Sequence, residues 1–198
     1  MNIHQLRKTE YSIESLFVER WSNRSFTDEE ISDETLYSFF EAARWAPSGF
    51  NAQPWRFIYS KRNDHKWSQF VDLLNDRNKL WAQKAAALVA VVSAKTFDWN
   101  GKQVSLSSNS FDTGAACASI AFQAHLSGWS THAIGGYDRD KTKQVLNIPD
   151  DFQLEVILSL GRPGPVAALP EELRPQEKPS DRRPLKDIVA QGGFVWGK

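Results

Sequence analysis

The chain has 198 residues, of which 41% are hydrophobic, and 24 basic side chains balance 24 acidic ones. That length and apolar fraction predict one domain with a real core and exclude a disordered chain. Zero formal charge leaves no basic stripe for a nucleic acid. The single cysteine, Cys117, excludes an intramolecular disulfide and a metal centre built on paired thiolates.

The four histidines, His4, His65, His125 and His132, show no metal-ligand spacing, so no metal is expected. Met1 to Arg20 carries charges throughout and no apolar stretch, so no signal peptide is expected. No run approaches the roughly 18 apolar residues of a membrane span. These features point to a cytoplasmic protein.

In chain order, Thr27-Asp28-Glu29-Glu30 matches a capping box. Leu36, Phe39, Phe40 and Ala43 then recur at i, i+3, i+4 and i+7, one apolar helical face. Asp33 and Glu34 suit a helix N-terminus, and Pro47 ends the helix. Residues 55–60 are a predicted strand, and residues 65–74 a helix with Trp67, Phe70, Val71 and Leu74 on one face. Residues 86–93 are continuously apolar, the pattern of a strand buried on both faces. A helix rich in Ala, Ser and Cys is predicted over 110–127, with Ser110 as N-cap and Gly128 at C′. Its small side chains suit close packing against another element or a second subunit. Strands at 131–136 and 153–160 flank a short helix at 139–146. From Gly161 to Pro184 six of the nine prolines occur, which predicts an extended arm, 161–198, whose apolar end wraps a partner subunit or docks on its own domain.

Four segments carry candidate chemistry. Arg20 and Arg24, with Ser22 between them, can converge on one anion, because guanidinium forks suit phosphate; the alternative is two solvated arginines. The segment Ala46–Trp55 holds Pro47, Ser48, Gly49, Asn51 and Gln53 in a turn-like stretch that fits neither helix nor strand. Its amides match the edge of a heterocycle or cap their own backbone. Asn78 is a helix cap or a ligand contact. Gly135-Gly136 after a strand exposes backbone N–H groups or simply makes a turn. No Ser-His-Asp arrangement, paired-carboxylate signature or phosphate-loop motif is present. No catalytic side chain is therefore assigned, and a bound cofactor is the expected source of reaction chemistry.

Six segments in order resemble the nitroreductase family of FMN-dependent oxidoreductases. They are Glu19-Arg20-Trp21-Ser22-Asn23-Arg24-Ser25-Phe26, Ala46–Trp55, Asn78-x-x-Trp81, Ile134-Gly135-Gly136-Tyr137-Asp138, Leu160-Gly161-Arg162-Pro163 and Arg182-Arg183-Pro184-Leu185. Each is weak alone; the order and spacing of all six are specific, and together they cover nearly the whole chain. The resemblance implies an α+β fold, a three-layer α/β/α arrangement around a mostly antiparallel sheet, with the C-terminal arm wrapping the partner of a homodimer. It implies FMN sites at the subunit interface, with Arg20, Ser22 and Arg182 on the phosphate and Arg24 on the phosphate or the pyrimidine edge. Trp21 lies in the same motif, with a backbone role. Pro47, Ser48, Gly49 and Asn51 would line the flavin from the other subunit, Asn78 would meet its polar edge, and Ile134, Gly135 and Gly136 would lie near N5. Ser180 stands where many members carry Lys, which leaves Lys178 and Arg183 as further candidates to close the phosphate site.

The implied activity is hydride transfer from NADH or NADPH through flavin N5 to a nitroaromatic or quinone, in ping-pong turnover. The alternatives are a different flavin reaction, such as enoyl reduction or dehalogenation, and a flavin-binding protein without turnover. Segment 95–110, with Phe97 and Trp99, is a lid candidate or a surface loop.

Overall fold

The computed structural model describes residues 3–196. Its centre is a four-stranded sheet of order β1-β2-β6-β5, formed by β1 (Trp55–Lys61), β2 (Ala87–Ala94), β5 (Ser130–Ile134) and β6 (Phe152–Gly161). Every pairing in it is antiparallel. The apolar run of β2 makes it an interior strand. Ala87, Val89 and Val91 enter one core while Leu88, Ala90 and Val92 enter the other, as the two-residue repeat of a strand requires.

β6 would break that alternation but for an irregularity in its register. Val91 pairs with Val156 and Val92 with Leu154, so Glu155 is the extra residue. The bulge puts Leu154 and Ile157 in one core and Leu158 and Leu160 in the other.

Two helices cover the first face. α3 (Asp33–Arg44) buries Leu36, Phe39 and Ala43, and α6 (Asn109–Leu126) buries Ala116, Ile120 and Ala124. Each fully buried Leu or Phe contributes roughly 1.5–3 kcal/mol. α3 begins later than the capping box predicts. Ser32 is the N-cap and accepts from the Thr35 N–H at 3.1 Å. Thr27 instead accepts from the Glu29 N–H, and Glu29 is drawn into a two-bond ion pair with Arg162. α6 begins at Asn109, so Ser110 lies in its first turn rather than at the cap and donates to Glu155. Its other end follows expectation: Gly128 has φ +74°, its N–H bonds the His125 carbonyl, and Trp129 N–H bonds the Ala124 carbonyl, a Schellman closure.

The second face carries α4 (Trp67–Val71), α5 (Asp76–Ala82) and α7 (Arg139–Val145). The predicted helix over 65–74 ends at Val71. Leu74 then forms a bridge with Tyr137, and Asn75 starts α5 as its N-cap. Asn78 is therefore inside α5, not its cap.

The arm differs most from expectation. Residues Val166–Ala168 and Glu171–Gln176 form 3-10 turns, and Leu169 and Leu173 are buried in the second core. Thus Leu169 and Leu173 anchor 161–178 on its own sheet, whereas no residue beyond Lys178 is buried among those described. A hairpin of β3 (Thr96–Trp99) and β4 (Lys102–Ser105) stands apart from the sheet. The N-terminal segment adds α1 (Ile3–Leu6) and α2 (Ser15–Glu19).

Candidate functional site

The segment after α2 leaves the helix at Arg20 in extended conformation and crosses the end of β5. Asn23 is buried there, bonded to the Ser25 carbonyl and to the Ser130 hydroxyl. The backbone N–H groups of Arg24 and Ser25 both donate to the Glu177 carboxylate, each at 2.8 Å. Glu177 is 8% exposed, and its second oxygen lies 4.0 Å from the Arg24 guanidinium. A buried carboxylate on the returning arm thus fixes the turn that carries Arg20, Ser22 and Arg24.

Those residues line a cavity of about 280 Å³ together with Trp21, Arg7, His132, Gln176, Lys178, Ser180 and Arg182. Four guanidiniums and one ammonium surround it, and no carboxylate belongs to the lining. Among the described residues the Arg20 guanidinium and the Lys178 ammonium make no hydrogen bond or ion pair. Burial lowers the Arg20 pKa, and the Arg182 charge lowers it further. Arg7 is lowered by burial and then by Arg182 and Arg20, partly offset by Asp181. The lowered values record burial and the crowding of like charges around one cavity, an arrangement suited to a compact anion.

One wall is aromatic. The Arg24 guanidinium lies 6.0 Å from the centroid of the Trp81 ring, and Trp81 and His132 rings are 4.7 Å apart. His132 Nδ1 lies 3.0 Å from the Ser22 carbonyl and 3.3 Å from that of Asn23. Carbonyls only accept, so Nδ1 carries the proton and Nε2 is left as an acceptor. Burial, followed by the Arg24 charge, pushes the His132 pKa down to about 4 against the opposing pull of those backbone bonds.

Trp81 leads to the glycine pair. Its indole N–H donates to Asn78 Oδ1, and Asn78 Nδ2 donates to the Gly136 carbonyl at 3.0 Å. The Asn75 N–H reaches the same carbonyl at 3.1 Å. A Cβ at Gly136 would meet Asn78 Nδ2 at 2.6 Å, so the glycine is sterically required, whereas Gly135 faces open space. Ile134 is buried in the core, which leaves only its backbone for any ligand.

Pro47, Ser48, Gly49 and Asn51 do not join this cavity within one chain. Phe50, Asn51 and Gln53 all have positive φ, between 46° and 55°, costly for non-glycine residues. Buried Asp112 of α6 holds the bend by accepting from the Gly49 N–H and the Ser108 hydroxyl. Ser48 accepts from the Gln53 N–H, and the Gln53 amide donates to the Asn51 carbonyl. Self-capping therefore absorbs Ser48 and Gln53, while the exposed Asn51 side chain has no hydrogen bond among the described residues. Phe50 stacks on Phe97 and meets Trp99 edge-on, which seats the β3–β4 hairpin against the bend.

Sequence reasoning missed Arg7, His132, Glu177 and Asp112. Only Glu177 had a local sign, an acidic residue amid the proline-rich run. Among the described residues no helix is long and apolar enough to cross a membrane, and no cluster of His, Cys, Asp or Glu is placed to hold a metal.

Fold and cavity together define an α+β protein with a cation-lined cavity beside an antiparallel sheet. The chain belongs to the nitroreductase family, whose model matches residues 17–78 and 61–162. A solved oxidoreductase containing FMN is 39% identical, spans 96% of each chain and superposes with a TM-score of 0.92. A nitroreductase family protein of Clostridium difficile 630, 22% identical, shares the fold at a TM-score of 0.69 over 93% of this chain and 100% of its own. A protein of Archaeoglobus fulgidus, provisionally named NADH dehydrogenase/NAD(P)H nitroreductase, is 28% identical over 73% of this chain and 81% of its own length.

Proposed function

We propose that this chain is an FMN-dependent oxidoreductase that draws on NADH or NADPH and reduces a nitroaromatic or quinone acceptor in alternating half-reactions, as a cytoplasmic homodimer. The observation that carries this reading is the cavity without a carboxylate in its lining, in which the Arg20 and Lys178 charges have no partner among the described residues. A phosphate monoester, close to a dianion, relieves their mutual repulsion and matches the forks of Arg20, Arg24 and Arg182 and the hydroxyl of Ser22. FMN held by these residues would supply the two-electron hydride chemistry, through its N5, that the chain's own side chains do not offer.

The chain's own part is to bind, orient and enclose. Trp21 contributes backbone beside Ser22. Asn78 and the Asn75 N–H hold the Gly136 carbonyl; Ile134, Gly135 and Gly136 do not line the phosphate cavity, and in this proposal their backbone amides meet the flavin ring beyond it. Pro47, Ser48, Gly49 and Asn51 complete the site from the partner subunit, a role favoured by their separation from the cavity in one chain. The similar FMN-containing oxidoreductase and the nicotinamide in the name of the Archaeoglobus relative support cofactor and donor.

The test is anaerobic. Purified protein loaded with FMN is titrated with NADH and with NADPH, and the loss of flavin colour is followed; acceptors then restore it. Arg20→Ala is expected to retain far less FMN. A chain that cannot be loaded, or a loaded chain that neither nicotinamide bleaches, overturns the proposal.

A further inference from the structure

The proline-rich arm brings Arg182 to the cavity, but its last part has little of its own to hold it. Beyond Lys178 nearly every residue is exposed. Among the described residues, two hydrogen bonds tie 179–196 to the rest of the chain, and both come from the N-terminal segment. Arg7 Nε donates to the Ser180 carbonyl at 2.9 Å, and Glu10 accepts from the Leu185 N–H at 2.8 Å.

Arg7 does more than touch the arm. Its Nη1 donates to the Val18 carbonyl at 2.7 Å and to the Arg20 carbonyl at 2.9 Å. One rigid fork therefore joins three segments distant in sequence: the end of α2, the arginine turn and the arm. We propose that Arg7 is a positioning residue, the clasp that keeps Ser180 on the Val18–Arg20 segment so that Arg182 closes the phosphate cavity. The inference rests on the FMN reading above. It deepens it by adding a residue that acts through the backbone of others.

The clasp couples two events. With Arg7, Arg20 and Arg182 facing one cavity, the docked arm is electrostatically uphill until an anion enters. An anion that favours the docked arm must be favoured by it in turn, because the coupling is reciprocal. A lysine at position 7 retains the charge but has no planar fork to span the carbonyls of Ser180, Val18 and Arg20.

The experiment compares wild type, Arg7→Ala, Arg7→Lys and Glu10→Ala as full-length apoprotein, with and without FMN or inorganic phosphate. FMN affinity is measured by flavin fluorescence, and arm docking by the rate of tryptic cleavage after Arg182 and Lys186, since Arg183 precedes a proline and resists the protease. In wild type both anions are expected to slow cleavage. Arg7→Ala and Arg7→Lys are both expected to weaken FMN about tenfold, the worth of one charge-assisted hydrogen bond, and to cut several-fold faster with little anion protection. Glu10→Ala is expected to speed cleavage with a smaller loss of affinity. Full recovery by lysine shows that charge alone matters and overturns the clasp, as does wild-type affinity and cleavage in Arg7→Ala. Wild type that binds phosphate but not FMN fails the flavin reading alone, and the cleavage comparison still decides the clasp.

Discussion

Glu177 is the residue on which the arginine turn depends. Its carboxylate is the acceptor for two backbone N–H groups that have no other partner among the described residues, so it holds the course of Arg24 and Ser25. Glu177→Ala strands both donors in a buried place. The expected cost is roughly 1–3 kcal/mol in urea denaturation, with a parallel loss of FMN affinity, although Glu177 is not one of the cavity-lining residues. Unchanged affinity would show that the turn holds itself. His132 makes a second prediction. Its pKa lies near 4 when folded and near the ordinary 6.5 when unfolded, so the unfolded chain takes up the proton first. Its stabilising contribution is complete above about pH 6.5, declines as the pH falls, and is exhausted below about 4. The carboxylates titrate in that range too, so the measurement is a difference. His132→Asn should lose less melting temperature between pH 6.5 and 4 than wild type does, and parallel curves would refute the buried neutral imidazole.

At the scale of elements, local chemistry was legible where it was self-contained. Gly128 closes α6 because a left-handed residue is needed there. It misled where two local solutions compete. Thr27 to Glu30 satisfies the capping pattern, yet the Asn63 amide claims the Glu30 carboxylate and Arg162 claims Glu29, and the helix starts at Ser32. Ser32→Ala should therefore lower stability by about 1 kcal/mol, whereas Thr27→Ala should be nearly neutral; equilibrium denaturation of the pair decides. The split of the helix expected over 65–74 has the same origin. Leu74 gains a bridge to Tyr137 and Asn75 bonds the Gly136 carbonyl, and neither is possible within one continuous helix.

At the scale of the molecule, the arginine turn and the Pro47–Asn51 bend are separate in one chain, and several large apolar side chains stay exposed. Phe111 is 83% exposed, Phe50 70% and Leu126 69%, large apolar side chains that a partner subunit would cover. The proposed homodimer makes a strong prediction. A chain carrying Arg20→Ala and a chain carrying Pro47 and Asn51 substitutions should each lose FMN binding. Co-refolded, they should recover one intact site per heterodimer. Absence of recovery in a verified heterodimer would place each site within one chain.

The four strands of the central sheet, the helix C-cap at Gly128 and the apolar faces were legible in the sequence alone, because each depends on residues within a turn or a strand of one another; the β3–β4 hairpin, expected as a lid or a surface loop, was not. Only the tertiary structure decided that Arg7, Arg24, Lys178 and Arg182 share one cavity. Leu169 and Leu173 bury themselves in the second core and turn the proline-rich segment back, and the resulting convergence of charge is a property of long-range packing that no local pattern encodes.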